Sequence, residues 1–348
     1  MTTHKLTQSK KHPSTVTLKA VAQHLGLTPG TVSAVLNNSS AARSIPEHTR
    51  KRILAAAREL NYRPNFLARS LRVRRTYTIG VIAEEIGDAY GGMVVSGLEA
   101  YLSEKYYFFF TVAHRHDAKL LDVYSDMLVA RGIEGLIIID TFINMPPVLP
   151  TIAVAGHQRF ENVTNIVLDH RRAAELALSH LKELGHTRIA FLKGQAQSSD
   201  SVTRWTAIEE VAREFGVAIH PELVLQLEGL DTTPELGYPY GKALLARNVP
   251  FTALFAYNDI SAIGAIRAFE EAGLRVPEDI SVVGFDDIAL AAFSIPALTT
   301  VRQPLMKMGR IAAQTLLDRI EGRAAFIPEI AVEPDLIIRN STAPPRSL

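Results

Sequence analysis

Apolar residues between positions 17 and 62 recur at helical spacing, in three short stretches. The first two apolar stripes consist of Leu18, Val21, Ala22 and Leu25, and of Val32, Val35 and Leu36. Between these stripes, Gly26 can turn the chain through a positive φ, and Thr28 followed by Pro29 is typical of a helix start. The pattern therefore predicts a helix-turn-helix followed by a third helix over residues 44–62.

From residue 76 onward, strand-like apolar runs alternate with helical stretches. Residues 77–83, 135–140, 187–194 and 280–287 are examples of such runs, and helical periods separate most of them. This alternation predicts parallel sheets covered by helices, with ligands bound at the carboxyl ends of the strands. Eight or more strands in about 265 residues indicate two lobes.

The charge of the chain is divided unequally between these two regions. Residues 1–75 contain 14 Lys and Arg against 2 Asp and Glu, a net charge of +12. The remainder contains 23 basic against 34 acidic residues, a net charge of −11, so the whole chain carries +1. A basic module on an acidic body indicates that the N-terminal region binds a polyanion. A solvated basic helix face without a partner is the alternative interpretation.

The outward positions of the second predicted helix carry small or polar side chains. They are Gly30, Thr31, Ser33, Ala34 and Asn37. Such residues allow a helix to enter a major groove and to contact base edges or phosphates. Arg50 on the third predicted helix is available for a phosphate contact. A helical hairpin without a role in DNA binding is the alternative, and the excess of positive charge argues against it.

Two stretches, TLKAVAQHLGLTPGTVSAVLNN and TRKRILAAARELNYRPNFLARSLR, resemble the DNA-binding headpiece of the lactose-repressor (LacI/GalR) family of bacterial transcription regulators. The resemblance covers nearly all of residues 16–340. It implies a hinge helix over 65–72, ordered on DNA, whose Leu71 wedges into the central base step and kinks the duplex. The residues that we predict to contact DNA are Thr28, Pro29, Gly30, Thr31, Ser33, Ala34, Asn37, Arg50, Tyr62, Asn65, Arg69 and Leu71.

The predicted recognition helix departs from the family pattern at its first positions and after Ser33. Many family members carry a large residue, often Arg, where this chain has Ala34, and large residues where it has Pro29 and Gly30. A bidentate Arg that reads a base is therefore absent at that place. Either the hydroxyl side chains near the helix start read bases, or specificity depends on other side chains and on DNA shape.

The resemblance also implies a periplasmic-binding-protein-like fold for the body, with an effector between the lobes. The expected fold is an all-α headpiece with a hinge helix, followed by a two-lobe α/β domain. The expected boundaries are 1–15 for a disordered basic tail, 16–63 for the headpiece, 64–75 for the hinge, 76–340 for the lobes and 341–348 for a tail. We expect the three crossovers between the lobes near 166–170, 292–297 and 302–305.

Five residues near predicted strand ends are the candidates for effector binding. Arg204 and Asp259 match the ligand-binding Arg and Asp of the family, and Tyr90 matches the position of its aromatic residue. His114 and Asp286 follow two other strands. A surface ion pair is the alternative for Arg204 and Asp259. Residues 231–236 contain no aromatic residue before Gly237, where the family often has one, which makes a stacked ring a less certain feature of the ligand.

Several kinds of chemistry are excluded or disfavoured. The chain has no cysteine, which excludes disulfides, thiolate zinc sites and thiol nucleophiles. We find no nucleotide-binding, metalloprotease or nucleophile-elbow motif, so we predict neither an enzyme nor a cofactor. His114-x-His116 is a possible metal pair that lacks obvious further ligands, and we predict no metal site.

The predicted partners follow from the two modules together. They are a double-stranded, pseudopalindromic DNA operator, a small-molecule effector such as a sugar or related metabolite, and a second copy of the chain. No heptad repeat follows the last predicted strand, so we expect a homodimer. The first residues lack the apolar stretch of a signal peptide, and we expect a cytoplasmic repressor without a membrane segment. A solute-binding protein and an α/β enzyme with an accessory DNA-binding domain are the rival interpretations.

Overall fold

The computed structural model describes residues 16–63, 70, 74–143, 146–196, 198–229 and 231–346. It contains two compact units, Met1–Arg75 and Thr76–Leu348. Within the described ranges, no helix combines the length and the apolar character that crossing a membrane requires.

The first unit contains the predicted helix-turn-helix. Its helices are α1 (Leu18–Leu25), α2 (Pro29–Leu36) and α3 (Glu47–Glu59), with a 3-10 turn at Ser40–Ser44. Thr28 accepts a hydrogen bond from the backbone N–H of Thr31 and caps α2, and Gly26 has a φ of 66°. Val21, Val32 and Ile53, one from each helix, are completely buried and form the centre of a small core. The first two helices therefore form as the local sequence signals predict, and the third, predicted over 44–62, is shorter because it begins at Glu47 and ends at Glu59.

The first lobe of the second unit contains a six-stranded sheet. Its strands are β1 (Thr78–Ala83), β2 (Phe108–Ala113), β3 (Gly135–Ile139), β4 (Thr151–Val154), β5 (Val163–Leu168) and β11 (Glu329–Val332). They are all parallel, in the order β11-β5-β4-β3-β1-β2. The helices of this lobe are α4 (Ala89–Glu104), α5 (Ala118–Ala130) and α11 (Leu305–Ile320). β1, β3, β4 and β5 are buried at every position, as expected for strands covered on both faces.

The second lobe repeats this architecture. Its strands are β6 (Ile189–Lys193), β7 (Val224–Gln226), β8 (Ala253–Phe255), β9 (Ser281–Asp286), β10 (Thr299–Arg302) and β12 (Asp335–Ile337). The order is β12-β10-β9-β8-β6-β7, and only β12 among these strands is antiparallel to its neighbour. The helices are α6 (His170–Glu183), α7 (Ser201–Phe215), α8 (Tyr238–Ala246), α9 (Asp259–Glu271) and α10 (Ala289–Phe293).

The chain passes between the lobes after β5, after β10 and between β11 and β12, that is, at 168–170, 302–305 and 332–335. The crossover expected near 292–297 was wrong. Ala291 and Leu298 are both buried in the core of the second lobe, so the chain stays there to complete β10. The tail predicted from residue 341 begins with a packed segment, because the completely buried Ser341 donates a hydrogen bond to the carbonyl oxygen of Val282.

Candidate effector cleft and DNA-binding surface

The first turn of α2 presents the exposed surface that sequence reasoning assigned to DNA. Thr28, Pro29 and Gly30 are exposed, and Thr31 is half-buried. The Oγ1 atoms of Thr28 and Thr31 lie 2.9 Å apart, so the two hydroxyls share a hydrogen bond and neither is fully free for a base. Side chains this short leave the helix backbone accessible at its N-terminal end, which is the end that approaches base edges in such motifs.

The remaining predicted DNA contacts differ in exposure. Ala34, Asn37, Arg50 and Tyr62 are half-buried. Ser33 is only 9% exposed, which corrects its assignment to the outward face. The reason is that α2 packs against α1, α3 and the 3-10 turn, so its buried arc is wider than its apolar stripe. Asn65, Arg69 and Leu71 lie outside the described residues.

A polar cleft of about 830 Å³, open solvent included, lies between the two lobes. Its walls come from the carboxyl ends of the strands in both sheets. Glu84 follows β1, Asp140 follows β3, Tyr257 lies just beyond β8 and Asp286 ends β9. This is the location that the parallel sheets predict for a ligand.

Arg204 on α7 is the central cation of the cleft. The residue is 4% exposed. Its Nη1 donates to the carbonyl oxygen of Tyr257 at 2.7 Å, and its Nη2 donates to Asp200 Oδ2 at 3.1 Å. The guanidinium also lies 4.4 Å from the ring centre of Tyr257 and 3.8 Å from that of Phe285. Its Nε has no hydrogen-bond partner among the described residues. An acceptor on a bound molecule would satisfy this buried donor.

Asp200 joins the two lobes at the back of the cleft. Its Oδ1 lies 2.6 Å from Nε2 of His157, which follows β4, and 3.1 Å from Nε2 of His170 at the first crossover. Burial alone would raise the pKa of Asp200, but His170, His157 and Arg204 hold it well below its usual range. The three potential metal-ligating atoms of His157, His170 and Asp200 lie within 4.8 Å of one another, and here hydrogen bonds connect them.

A second contact between the lobes is formed by Asp140 and the loop before α7. The carboxylate of Asp140 accepts from the backbone N–H of Ser199 at 3.0 Å and from its hydroxyl at 2.7 Å. Ser198 donates to the same carboxylate at 3.4 Å. Asp140 has a φ of 43°, and Asp286 has a φ of 108°, both unusual for residues with a side chain. Two residues that line the cleft therefore have a backbone conformation of the kind that is found at ligand sites.

Several carboxyl groups in the cleft hold protons more tightly than usual. Burial, together with the neighbouring Asp140, raises the pKa of Glu84 to about 9. Burial raises the pKa of Asp88 to about 6, although a backbone N–H donated by Gly91 opposes the shift. Burial also raises the pKa of Asp286 to about 7 against the attraction of Arg204. Buried carboxyl groups with raised pKa values are typical of functional sites.

The structure brings three of the five predicted effector residues to the cleft. Tyr90, Arg204 and Asp286 line it. Asp259 does not, which corrects its assignment: it is completely buried in the second lobe and accepts from Thr300 Oγ1 at 2.5 Å and from the backbone N–H of Ile288 at 2.9 Å.

His114 is also corrected. It is 6% exposed and does not belong to the described cleft lining, and its Nε2 lies 2.9 Å from Thr141 Oγ1 in a buried contact. His116, two residues later, lines the cleft instead and lies 2.5 Å from Glu84.

Sequence reasoning missed several lining residues. They are Glu84, Glu85, Asp88, His116, Asp140, Asp200 and Tyr257. Most of them stand within a few residues of a strand's carboxyl end, and that position was the available signal. Selecting them required knowing which strands are neighbours and which lobes face each other.

The headpiece and the two-lobed domain with its polar cleft together define a ligand-responsive DNA-binding regulator. Residues 17–65 match the family model for bacterial regulatory proteins of the lacI family, and residues 178–342 match a periplasmic binding protein-like domain. The chain is 34% identical over 335 residues to the transcriptional repressor PurR of Haemophilus influenzae, covering 93% of this chain and 98% of that protein. It is 32% identical over 336 residues to PurR of Aliivibrio fischeri, covering 94% and 98%.

Solved structures agree with these sequence matches. The lac repressor dimer bound to operator and the anti-inducer ONPF is similar, with a TM-score of 0.84, 27% identity, and coverage of 95% of this chain and 100% of that one. A complex of the regulator CelR with cellobiose has a TM-score of 0.69 and 28% identity, and covers 94% and 99%. The chain belongs to the lacI family of bacterial regulatory proteins. Its relatives are DNA-binding transcriptional repressors, and the similar lac repressor structure is that of a dimer bound to operator.

Proposed function

We propose that the chain binds a pseudopalindromic operator, one headpiece per half-site, and that a sugar or related polar metabolite in the cleft between the lobes controls this binding. The proposal includes action in the bacterial cytoplasm and no catalytic role. The observation that carries it is the buried Arg204, whose Nε lacks a partner among the described residues in a cleft formed by the strand ends of both lobes.

Sequence readout is proposed to depend on the first turn of α2. Thr28, Pro29 and Gly30 are exposed there, and their short side chains favour close approach of the helix to base edges. Direct readout by a long bidentate side chain is missing, so DNA deformability is proposed to contribute to specificity. Binding by a module of net charge +12 should weaken steeply with rising salt, because phosphate-bound counterions are released on binding.

The hinge is proposed to place Leu71 in the minor groove at the operator centre, although this residue lies outside the described part of the chain. An apolar wedge partly unstacks a base step, and a shorter side chain loses that contact. Leu71→Ala should weaken specific operator binding by a few kcal/mol in a gel-shift titration, with non-specific binding retained. Unchanged operator affinity would remove Leu71 from the proposal.

Control by the effector is proposed to act through the relative arrangement of the lobes. Two contacts connect the lobes across the cleft, Asp140 with Ser199 and His157 with Asp200. A ligand that touches both walls stabilises one arrangement over others, and the shift equals its difference in affinity for the two. Release of DNA and strengthening of DNA binding are both compatible with this scheme.

The decisive experiment changes Arg204 to Met and measures operator binding with and without a bacterial metabolite extract. The expected result is unchanged operator affinity without extract and loss of the response to extract. Arg213→Met on the exposed face of the same helix is the matched control and should respond like the unaltered protein. A full response of Arg204→Met would show that the effector binds elsewhere. The operator itself is obtained by selecting bound duplexes from a random DNA pool, and an inverted repeat is expected.

A further inference from the structure

The walls of the cleft carry a strong excess of acidic side chains. The wall from the first lobe contributes Glu84, Glu85, Asp88 and Asp140, and the second lobe adds Asp200, Asp231 and Asp286. Arg204 is the only Arg or Lys among the described lining residues. His116 also lines the cleft, where its Nδ1 lies 2.5 Å from Glu84 Oε1, and burial lowers its pKa.

The charges are also separated in space. Arg204 lies on the second lobe, where Asp200 accepts its hydrogen bond at 3.1 Å. The first-lobe wall has no Arg or Lys among its described lining residues. Mutual repulsion across this wall contributes to the raised pKa values of Glu84, about 9, and Asp88, about 6, after the larger effect of burial.

Two buried polar atoms at the cleft indicate that the carboxylates belong to a ligand site and not to a purely structural cluster. The side chain of Arg204 is only 5% exposed, and its Nε lacks a partner in the described part of the chain. The buried hydroxyl of Tyr90, a side chain of the first-lobe wall, also lacks a hydrogen-bond partner among the described residues. Both groups are left to be satisfied by a bound molecule.

We infer that the effector is a small protonated amine that also carries hydroxyl or carbonyl oxygens, as an amino sugar does. The amine contacts the first-lobe carboxylates, and an oxygen accepts from Arg204 Nε. This inference rests on the proposed function, since it names the class of ligand for the same cleft. The hydroxyl groups of a neutral sugar can donate to these carboxyl groups but bring no positive charge, and an anion would be repelled by the ionised ones, so a protonated amine is the favoured partner.

The test uses the full chain and matched pairs of probes. The pairs are D-glucosamine with D-glucose, D-galactosamine with D-galactose, and ethanolamine with ethylene glycol, and MgCl₂ alone forms a separate arm. The fluorescence of Trp205, the single tryptophan and the neighbour of Arg204 in the chain, reports binding, and calorimetry measures the heat. At least one amino sugar should bind about tenfold or more tightly than its neutral counterpart, because hydrogen bonds to charged groups are the stronger ones.

Two variants separate charge recognition from structural damage. Asp88→Asn removes a carboxylate charge from the cleft wall and should therefore abolish the preference for amines. Because Asn can still cap α4, folding should be preserved. Asp117→Asn makes the same change at the N-cap of α5, outside the cleft lining, and should keep the preference. Amine binding should also release protons, visible as a dependence of the binding heat on the buffer.

The inference is overturned by equal or tighter binding of neutral sugars, by binding of Mg²⁺ alone, or by the absence of amine binding. It is also overturned if Asp88→Asn keeps the full preference. A neutral sugar that changes operator affinity would overturn the inference and leave the proposed function standing. The proposed function fails separately if neither the probes nor a bacterial metabolite extract changes operator binding.

Discussion

Asp200→Asn is the substitution whose effect the structure determines most closely. Asp200 is 3% exposed and accepts hydrogen bonds from three partners, His157, His170 and Arg204. It stands at the N-cap position of α7 but makes no side-chain capping bond there, so loss of capping does not enter the effect. The substitution removes the negative charge and keeps the size of the side chain.

The size of the stability loss depends on the buried charge of Arg204, which remains after Asp200 is replaced. Arg204 loses its only carboxylate hydrogen-bond partner among the described residues while remaining 4% exposed. Removing one member of a buried ion pair typically costs about 3–5 kcal/mol, because the other charge stays buried. The Asn oxygen can still accept from one histidine, and two aromatic rings still face the guanidinium. We therefore expect a loss of about 3 kcal/mol in the free energy of unfolding, at the lower end of that range.

Urea unfolding monitored by Trp205 fluorescence measures this loss in the second lobe. The control is Asp169→Asn at the N-cap of α6, where Asn can replace the cap and the expected change is below about 0.5 kcal/mol. A double-mutant cycle with Arg204→Met should give a combined loss smaller than the sum of the single losses, since removing both charges leaves neither buried alone. A loss below about 1 kcal/mol for Asp200→Asn, or strict additivity, would refute the reasoning.

Three further predictions concern other parts of the chain. The pKa of Glu84 is raised from 4.5 to about 9. Between these pH values the unfolded chain releases the proton that the folded protein keeps, so the free energy of unfolding falls as the pH rises. Glu84→Gln should therefore raise the free energy of unfolding near pH 7.5 by at most about 4 kcal/mol, raise the melting temperature and flatten its pH dependence; a lower melting temperature would contradict this. Ile53→Ala should destabilise the headpiece by about 3 kcal/mol and abolish operator binding, while tryptophan-monitored unfolding of the second lobe is unchanged. Leu54 is 42% exposed, so Leu54→Ala should bind the operator normally. Gly97→Ala would place Cβ 2.0 Å from the carbonyl oxygen of Met306, so α4 and α11 must separate, and thermal unfolding should show a loss of about 1–3 kcal/mol or more; an unchanged melting temperature would count against this packing.

The headpiece could be predicted from sequence almost completely. Gly26 turns the chain, Thr28 caps α2, and the apolar spacing that predicts three helices is also the spacing that fills their common core. These signals act over a few residues, so they need no knowledge of distant contacts. Ser33 is the exception, because its burial depends on how widely α2 is covered by its neighbours.

The sequence predicted where the cleft lies but not all of the residues that line it. Family matches and strand ends together suggested Tyr90, Arg204 and Asp286, which line the cleft. The same reasoning suggested Asp259 and His114, whose side chains make buried contacts with Thr300 and Thr141. Just past a strand end, the backbone conformation of a single residue decides whether its side chain faces the cleft or the interior. The alternation of side chains along a strand ends with the strand, so the sequence pattern does not predict that direction.

Local order along the chain was enough for the helix-turn-helix, the alternation of strands and helices, and the division of charge, because each is a property of neighbouring residues. The contact of Asp200 with His157 and His170 joins residues 43 and 30 positions apart, and Asp140 meets Ser199 across 59 positions. Such pairs form only when three crossovers bring two separately folded sheets face to face. The acidic wall, its raised pKa values and the unsatisfied Nε of Arg204 all arise from that juxtaposition, since burial between the lobes is what removes these groups from water.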